Sequence, residues 1–216
     1  MIRILLGDDH RIVREGLKQI LADAPDVCVA GEAHSGTDVL DRVRKLGGIG
    51  GLDLVLLDIA MPGADGLEVL QILRREYPTL PVLMLSTYPE KQYAVRCIKL
   101  GAGGYLNKSA DPDDMVAAVR KVARGGMYVT QATAEALAAT VGGVASRSRA
   151  GGVEALSHRE YQVFRLLTTG HTVSEIGAQL KLATNTVSTY RARILEKTGT
   201  KNDVELALYA ERHGQR

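Results

Sequence analysis

The chain has 216 residues, 45% hydrophobic and 24% charged, which allows one or two folded domains with a substantial core. No apolar run approaches the ~20 residues of a membrane span, and the N-terminus lacks the basic-then-apolar order of a signal peptide, so a cytoplasmic protein without a membrane partner is expected. The net charge of +2 conceals an asymmetry: residues 1–124 carry one more acid than base, residues 125–216 three more bases than acids.

Along residues 1–124, short apolar runs alternate with amphipathic ones. IRILLG precedes a helical pattern from Arg11 to Leu21, and VCVAGEA precedes one from Asp38 to Leu46. LVLLD leads to a helix from Leu67 to Arg75, PVLMLS to a weaker one from Gln92 to Leu100, and GGYLN to one from Asp113 to Arg124. Five strand-like runs, each followed by a helix, predict an α/β domain: a five-stranded parallel sheet covered on both faces, doubly wound and flavodoxin-like. Asp111-Pro112-Asp113-Asp114 is a helix start, with Asp as cap, Pro at the first position and acids in the first turn. Gly47-Gly48-Ile49-Gly50-Gly51 lacks the GxGxxG spacing of a phosphate cradle and is expected as a flexible surface insertion. Cys28 and Cys97, far apart, exclude a CxxC centre and are expected as reduced thiols in or near the core. Asn107-Lys108-Ser109 matches the glycosylation triplet only by chance if the chain is not exported.

Arg124-Gly125-Gly126 ends that pattern. Residues 125–153 are expected as a linker with a short helix, Ala132 to Thr140, and a flexible GGVASRSRAGG from Gly142 to Gly152. Residues 154–216 predict an all-α four-helix domain. Ser157-x-x-Glu160 and Thr172-x-x-Glu175 fit the capping box, Gly170 stops the first helix, and Leu156, Val163, Leu166, Leu167, Ile176 and Leu180 supply an apolar face. A tight turn at Lys181 to Ala183 leads to a helix from Thr184 to about Lys197, and a fourth runs from Asp203 to Arg212. Lys181, Arg191, Arg193, Lys197 and Lys201 stand against Glu196 alone. A basic helix by itself is most often a solvated face. The preceding helix and tight turn make this pair the outline of a helix-turn-helix.

In an open parallel sheet the functional crevice lies outside the carboxyl ends of the strands. Asp8 and Asp9 follow the first run, Asp58 ends the third, Ser86 the fourth, and Lys108 follows the fifth. Carboxylates brought together there repel unless a cation intervenes, and Mg²⁺ prefers one or two carboxylates with water and phosphate oxygens. A carboxylate can also attack a phosphoryl group while metal and ammonium neutralise the transferring oxygens. An enzyme with a covalent Asp58 intermediate is the alternative class. No second acid/base carboxylate follows Asp58 closely, and no substrate domain accompanies it.

LLGDDH, LLDIAMPGADG, MLSTY and GYLNKS resemble the receiver domain of two-component response regulators. LSHREYQVFRLL, VSEIGAQL and TNTVSTYRARILEKTG resemble a LuxR-type helix-turn-helix. Together they resemble the NarL/FixJ class over nearly the whole chain, and VSTY is similar to the BvgA, EvgA and FimZ group. The resemblance implies a non-enzymatic transcription regulator whose residues 1–124 take phosphate from a histidine kinase and whose residues 154–216 bind promoter DNA. It makes Asp58 the acceptor and Asp8, Asp9, Asp58 and the Ala60 carbonyl the Mg²⁺ ligands, Asp8 directly or through water. Lys108 would bind phosphoryl oxygens, with Ser86, Thr87 and Tyr105 as the switch: the Ser86 hydroxyl moves to the phosphate and vacates space into which the Tyr105 ring turns. Ala60, often polar in relatives, and Tyr88 are expected to alter the lifetime of the phosphate.

On the third helix of the second domain, Val187, Ile194 and Leu195 suit the inward face. By resemblance, Ser188, Thr189 and Ala192 face base edges, while Thr186, Tyr190, Arg191, Arg193 and Lys197 contact or position phosphates. Ser188 stands where relatives often carry Lys, and Thr198 where Leu is usual, a change expected to weaken packing before the fourth helix. Val204, Leu208 and Tyr209 are implied as the face of a homodimer on two-fold related DNA, and RNA polymerase is a further partner the class allows.

Overall fold

The computed structural model describes residues 1–62, 64–87, 90–142, 152–180 and 182–213. Tyr88, Lys181 and most of the glycine-rich stretch, residues 143–151, lie outside them. The chain divides into two compact units, Met1–Val144 and Ala145–Arg216.

The first unit runs β1 (Ile2–Gly7), α1 (Arg11–Ala22), β2 (Val27–Ala33), α2 (Gly36–Lys45), β3 (Leu54–Asp58), α3 (Gly66–Glu76), β4 (Val82–Ser86), α4 (Glu90–Lys99), β5 (Gly104–Asn107), α5 (Pro112–Ala123) and α6 (Gln131–Gly142). The sheet is parallel throughout, in the order β2-β1-β3-β4-β5. Every residue of β3 and β4 is buried, as a strand covered on both faces requires, whereas the edge strand β2 buries only its two ends. On one face, Leu17 and Leu21 of α1 and Met115, Ala118, Val119 and Val122 of α5 close over Ile4, Leu6, Leu54, Leu56 and Leu83. The strand order reverses between β1 and β3, so a crevice opens at their carboxyl ends. Helix starts are set by side chains: Asp65 Oδ1 accepts from Leu67 and Glu68 N–H at 2.9 Å, and Asp111 Oδ1 from Asp113 N–H at 3.1 Å.

Two parts of this unit differ from expectation. The helix assigned to the linker, α6, lies against α4 inside the compact unit. Glu90 Oε1 accepts from the hydroxyls of Thr130 at 2.5 Å and Thr133 at 2.6 Å, and Thr133 is buried. The Gly47–Gly51 segment is not a loose insertion but a defined 3₁₀ turn over Gly48–Gly50. Gly47 and Gly48 have φ of 84° and 55°, which glycine alone adopts cheaply, and a Cβ at Gly48 would sit 2.5 Å from the Tyr77 ring. The turn is held by packing that a run of glycines does not advertise.

The second unit contains α7 (His158–Thr168), α8 (Val173–Leu180), α9 (Thr184–Thr198) and α10 (Asp203–Arg212). Both capping boxes form. Glu160 N–H reaches Ser157 Oγ at 3.3 Å and Ser157 N–H reaches Glu160 Oε2 at 2.7 Å; the Thr172 and Glu175 pair repeats these two distances. Leu156, Val163, Phe164, Leu167, Ile176, Val187, Ile194, Leu206 and Ala210 form its core.

Gly48→Val is expected to lower the urea midpoint by the equivalent of about 1–3 kcal/mol with an unchanged slope. A change within about 0.5 kcal/mol, the usual result at a loose surface loop, would contradict the packed turn.

Candidate functional site

The register Gly7↔Leu57 sets Asp8 and Asp58 side by side at the reversal of strand order. Lys108 N–H donates to the Ser86 carbonyl at 2.8 Å, extending the β5 pairing by one residue and carrying the lysine to the same rim. Its Nζ lies 2.5 Å from Asp8 Oδ2 and 2.7 Å from Asp58 Oδ2. Both aspartates are almost fully buried, at 1% and 2% exposure. Burial above all pushes the Asp58 carboxyl up from the ordinary range; Lys108 pulls it back and Asp8 adds to the rise. Burial opposes the Lys108 charge too, but Asp58 and Asp8 outweigh it and hold the ammonium above its usual range.

Asp9 sits at the rim, and the carboxylate oxygens of Asp8, Asp9 and Asp58 together with a His10 ring nitrogen lie within 4.8 Å of one another. Three carboxylates against one ammonium leave an excess of negative charge among hard oxygen donors, which fits a divalent cation. The backbone beside Asp58 is tightly held. Ala60 N–H donates to Asp58 Oδ1 at 3.2 Å, a Cβ on Gly66 would meet the Asp58 carbonyl at 2.0 Å, and one on Gly36 would meet the Ala64 carbonyl at 2.0 Å. Arg14 is a contributor that the sequence alone does not reveal. It lies buried in α1, donates to the Asp8 carbonyl at 2.8 Å and pairs with Glu32 at 3.0 Å. The signal available for it is a cation on the same helical face as Leu17 and Leu21.

Ser86 is fully buried, Tyr105 is 2% exposed, and the Ser86 side chain neighbours the phenol. Burial first of all, with the Ser86 side chain as partial relief, raises the phenol above its ordinary range. The Tyr105 ring lies in the interior of the unit, beside Ser86. Thr87 is exposed at the end of β4.

In the helical unit, Ser188, Thr189, Ala192 and Arg193 of α9 are exposed, Thr186, Tyr190 and Leu195 partly so, and Val187 and Ile194 buried. Asn185, Thr186, Thr189, Tyr190 and Arg193 line a shallow concavity on the outer side of α9. Asn185 belongs to that surface although it carries no charge that would mark it in the sequence. The Thr198 hydroxyl donates to the Ile194 carbonyl at 2.7 Å and shares a hydrogen bond with Thr200 at 2.8 Å.

Residues 4–120 match the family described as response regulator receiver domain, and residues 154–210 match the bacterial regulatory proteins of the luxR family. GacA of Pseudomonas aeruginosa is 38% identical over 99% of this chain and 97% of its own length. The chain belongs to the response regulators. It is a DNA-binding transcription regulator of the two-component type, with a receiver domain and a LuxR-type helix-turn-helix. UvrY of Escherichia coli, another response regulator, is 36% identical over 99% of this chain and 95% of its own. Among solved structures, the RcsB response regulator of Salmonella typhimurium aligns with a TM-score of 0.58 at 25% identity over 98% of both chains. ChrA, a response regulator of a heme-sensing two-component system, aligns at 0.52 and 31% identity over 100% of this chain and 98% of its own. No helix among the described residues of this response regulator is long and apolar enough to cross a membrane.

Two cations of the response regulator's α9 are committed within the domain. Lys197 Nζ lies 2.6 Å from Glu160 Oε2, so the last turn of α9 is tied to the capping box of α7. Arg191 Nε lies 2.7 Å from Asp203 Oδ1 at the start of α10. Burial works against the Glu160 charge, but Lys197 and the Ser157 N–H outweigh it and hold the carboxyl below its ordinary range. A depressed folded-state value contributes stability above the unfolded value and loses it as pH falls through the folded one. Lys197→Ala is expected to destabilise the helical domain by about 1–3 kcal/mol near neutral pH, less than a fully buried pair because Lys197 is about a third exposed. In thermal melts the gap between wild type and variant should close as pH drops below the ordinary glutamate range. A gap that persists at acid pH would remove the ion pair as its cause.

Proposed function

We propose that Asp58 is the phosphoryl acceptor of this response regulator, that a histidine kinase is the donor, and that phosphorylation drives dimerisation and promoter binding. The observation that carries this reading is the buried Asp58 carboxylate with the Lys108 ammonium 2.7 Å away at the strand-order reversal. Its raised proton affinity goes with a more nucleophilic carboxylate. In the transfer, an Asp58 oxygen bonds to phosphorus, the bond from phosphorus to the donor's imidazole nitrogen breaks, and an acyl phosphate results. Lys108 then exchanges a carboxylate partner for phosphoryl oxygens. Asp9, Asp58, the Ala60 carbonyl and Asp8, directly or through water, would hold Mg²⁺, which would supply positive charge to those oxygens. The Ser86 hydroxyl turns to the new phosphate, and its movement beside Tyr105 is the local event the switch reads.

We assign input to residues 1–124, transmission to 125–153 and output to 154–216. On α9, Ser188, Thr189 and Ala192 are the base-reading residues and Thr186, Tyr190 and Arg193 the phosphate-contacting ones, with Arg191 and Lys197 holding the helix in place. DNA interaction by the similar RcsB regulator supports promoter binding as the output, while the exposure of Ser188, Thr189, Ala192 and Arg193 supports their placement on the contacting face. Val204 and Leu208, one helical turn apart on α10 and 71% and 48% exposed, offer an apolar stripe for a second copy. Tyr209 stacks on His213 at 4.1 Å between ring centroids and borders that stripe.

Titration of DNA over a range of salt tests both halves. A small phosphodonor with Mg²⁺ should tighten binding by wild type and leave Asp58→Asn unchanged. Arg193→Ala should weaken binding to all sequences and reduce the salt slope by about 0.9. Equal tightening of both proteins would sink the acceptor assignment, and an unaltered slope would remove Arg193 from the phosphate contacts.

A further inference from the structure

The acidic pocket has two sides. Lys108 covers the inner oxygens, Oδ2 of Asp8 and Oδ2 of Asp58. The outer side faces His10, whose Nδ1 lies 2.8 Å from Asp9 Oδ1 and 3.5 Å from Asp8 Oδ1. His10 occupies the N-cap of α1 with extended backbone angles of −89° and 107°, yet its side chain makes no capping hydrogen bond. Its backbone N–H is fixed instead to Asp8 Oδ1 at 2.8 Å. The residue is thus anchored to the aspartate cluster through its main chain. Its ring is 63% exposed, on the side of the cluster away from Lys108.

We propose that His10 supplies an imidazole nitrogen to the cation held by Asp8, Asp9 and Asp58, so that the pocket holds nitrogen-preferring ions such as Ni²⁺ more tightly than its carboxylates alone would. The inference rests on the reading of this pocket as a cation site. An all-oxygen pocket with retained waters suits Mg²⁺, which gains little from nitrogen. Imidazole favours ions further along the first-row series, and their affinity for a mixed nitrogen and oxygen set rises from Mn²⁺ to Ni²⁺. The ring nitrogen and the three carboxylate oxygens already lie within 4.8 Å of one another, so modest rotation of the exposed ring brings four protein ligands onto one ion.

Calorimetric titration of the full chain with Mg²⁺ and separately with Ni²⁺, together with pulsed electron paramagnetic resonance of the Mn²⁺-loaded protein, tests this. His10→Ala should leave Mg²⁺ affinity within about twofold, weaken Ni²⁺ about tenfold or more, and remove a nitrogen modulation present in the wild-type Mn²⁺ spectrum. Asp58→Asn should weaken both ions, which ties the measured site to this pocket and not to the other histidines. Mg²⁺ binding with no change in the Ni²⁺ preference and no nitrogen modulation would overturn the inference and leave His10 as a hydrogen-bond partner of Asp9. Binding that Asp58→Asn does not affect would overturn the cation reading of the pocket itself.

Discussion

The receiver is organised around one ammonium held between two buried carboxylates. Asp8 and Asp58 can be taken out of water side by side only because Lys108 Nζ stands 2.5 and 2.7 Å from them. The sheet exists in the form that brings them together: β1 and β3 are neighbours at the reversal of strand order, and Lys108 follows the far edge strand β5, tied back to β4 through Ser86. Arg14 and Glu32 support the Asp8 end from behind, and Gly36 and Gly66 let the loop after Asp58 close without a Cβ in the way. A buried cluster with an excess of negative charge responds strongly to any added charge, because little water is present to screen it.

That response has a physical route through the same unit. Ser86 ends β4 beside the site, and its side chain neighbours the buried Tyr105 ring. Glu90 opens α4 a few residues later and contributes its charge to the Tyr105 environment while holding the two hydroxyls of Thr130 and Thr133. A change at Asp58 that takes Ser86 away from Tyr105 therefore acts next to the joint where α6 is held on α4. In the helical domain the corresponding devices are the Lys197–Glu160 and Arg191–Asp203 pairs, which fix α9 to α7 and to α10.

The site-bearing strand ends are legible in the sequence because the central strands are short and apolar up to the polar residue at or just after their ends. Asp58 after LVLL and Lys108 after GYLN need no partner information to be placed. The capping boxes are legible for the same reason, since both members lie within four residues. What escapes a reading of the sequence is side-chain pairing over distance. Lys197 finds Glu160 37 positions away, so a cation that looks free for DNA is engaged inside the domain. Gly48 is packed by Tyr77 and Tyr105 lies inward beside Ser86, neither of which follows from periodicity or spacing; Arg14 is marked only by its place on an apolar helical face, not by the carbonyl it holds.

Signalling through this pocket requires that Asp58, and not a neighbouring group beside it, receive the phosphoryl group. Borohydride reduction of the protein after treatment with a small phosphodonor and Mg²⁺ converts an aspartyl phosphate to homoserine, and peptide mass spectrometry then locates it. Homoserine at position 58 alone is the expected result. Homoserine at Asp8 or Asp9, or a phosphate retained on His10, would contradict it.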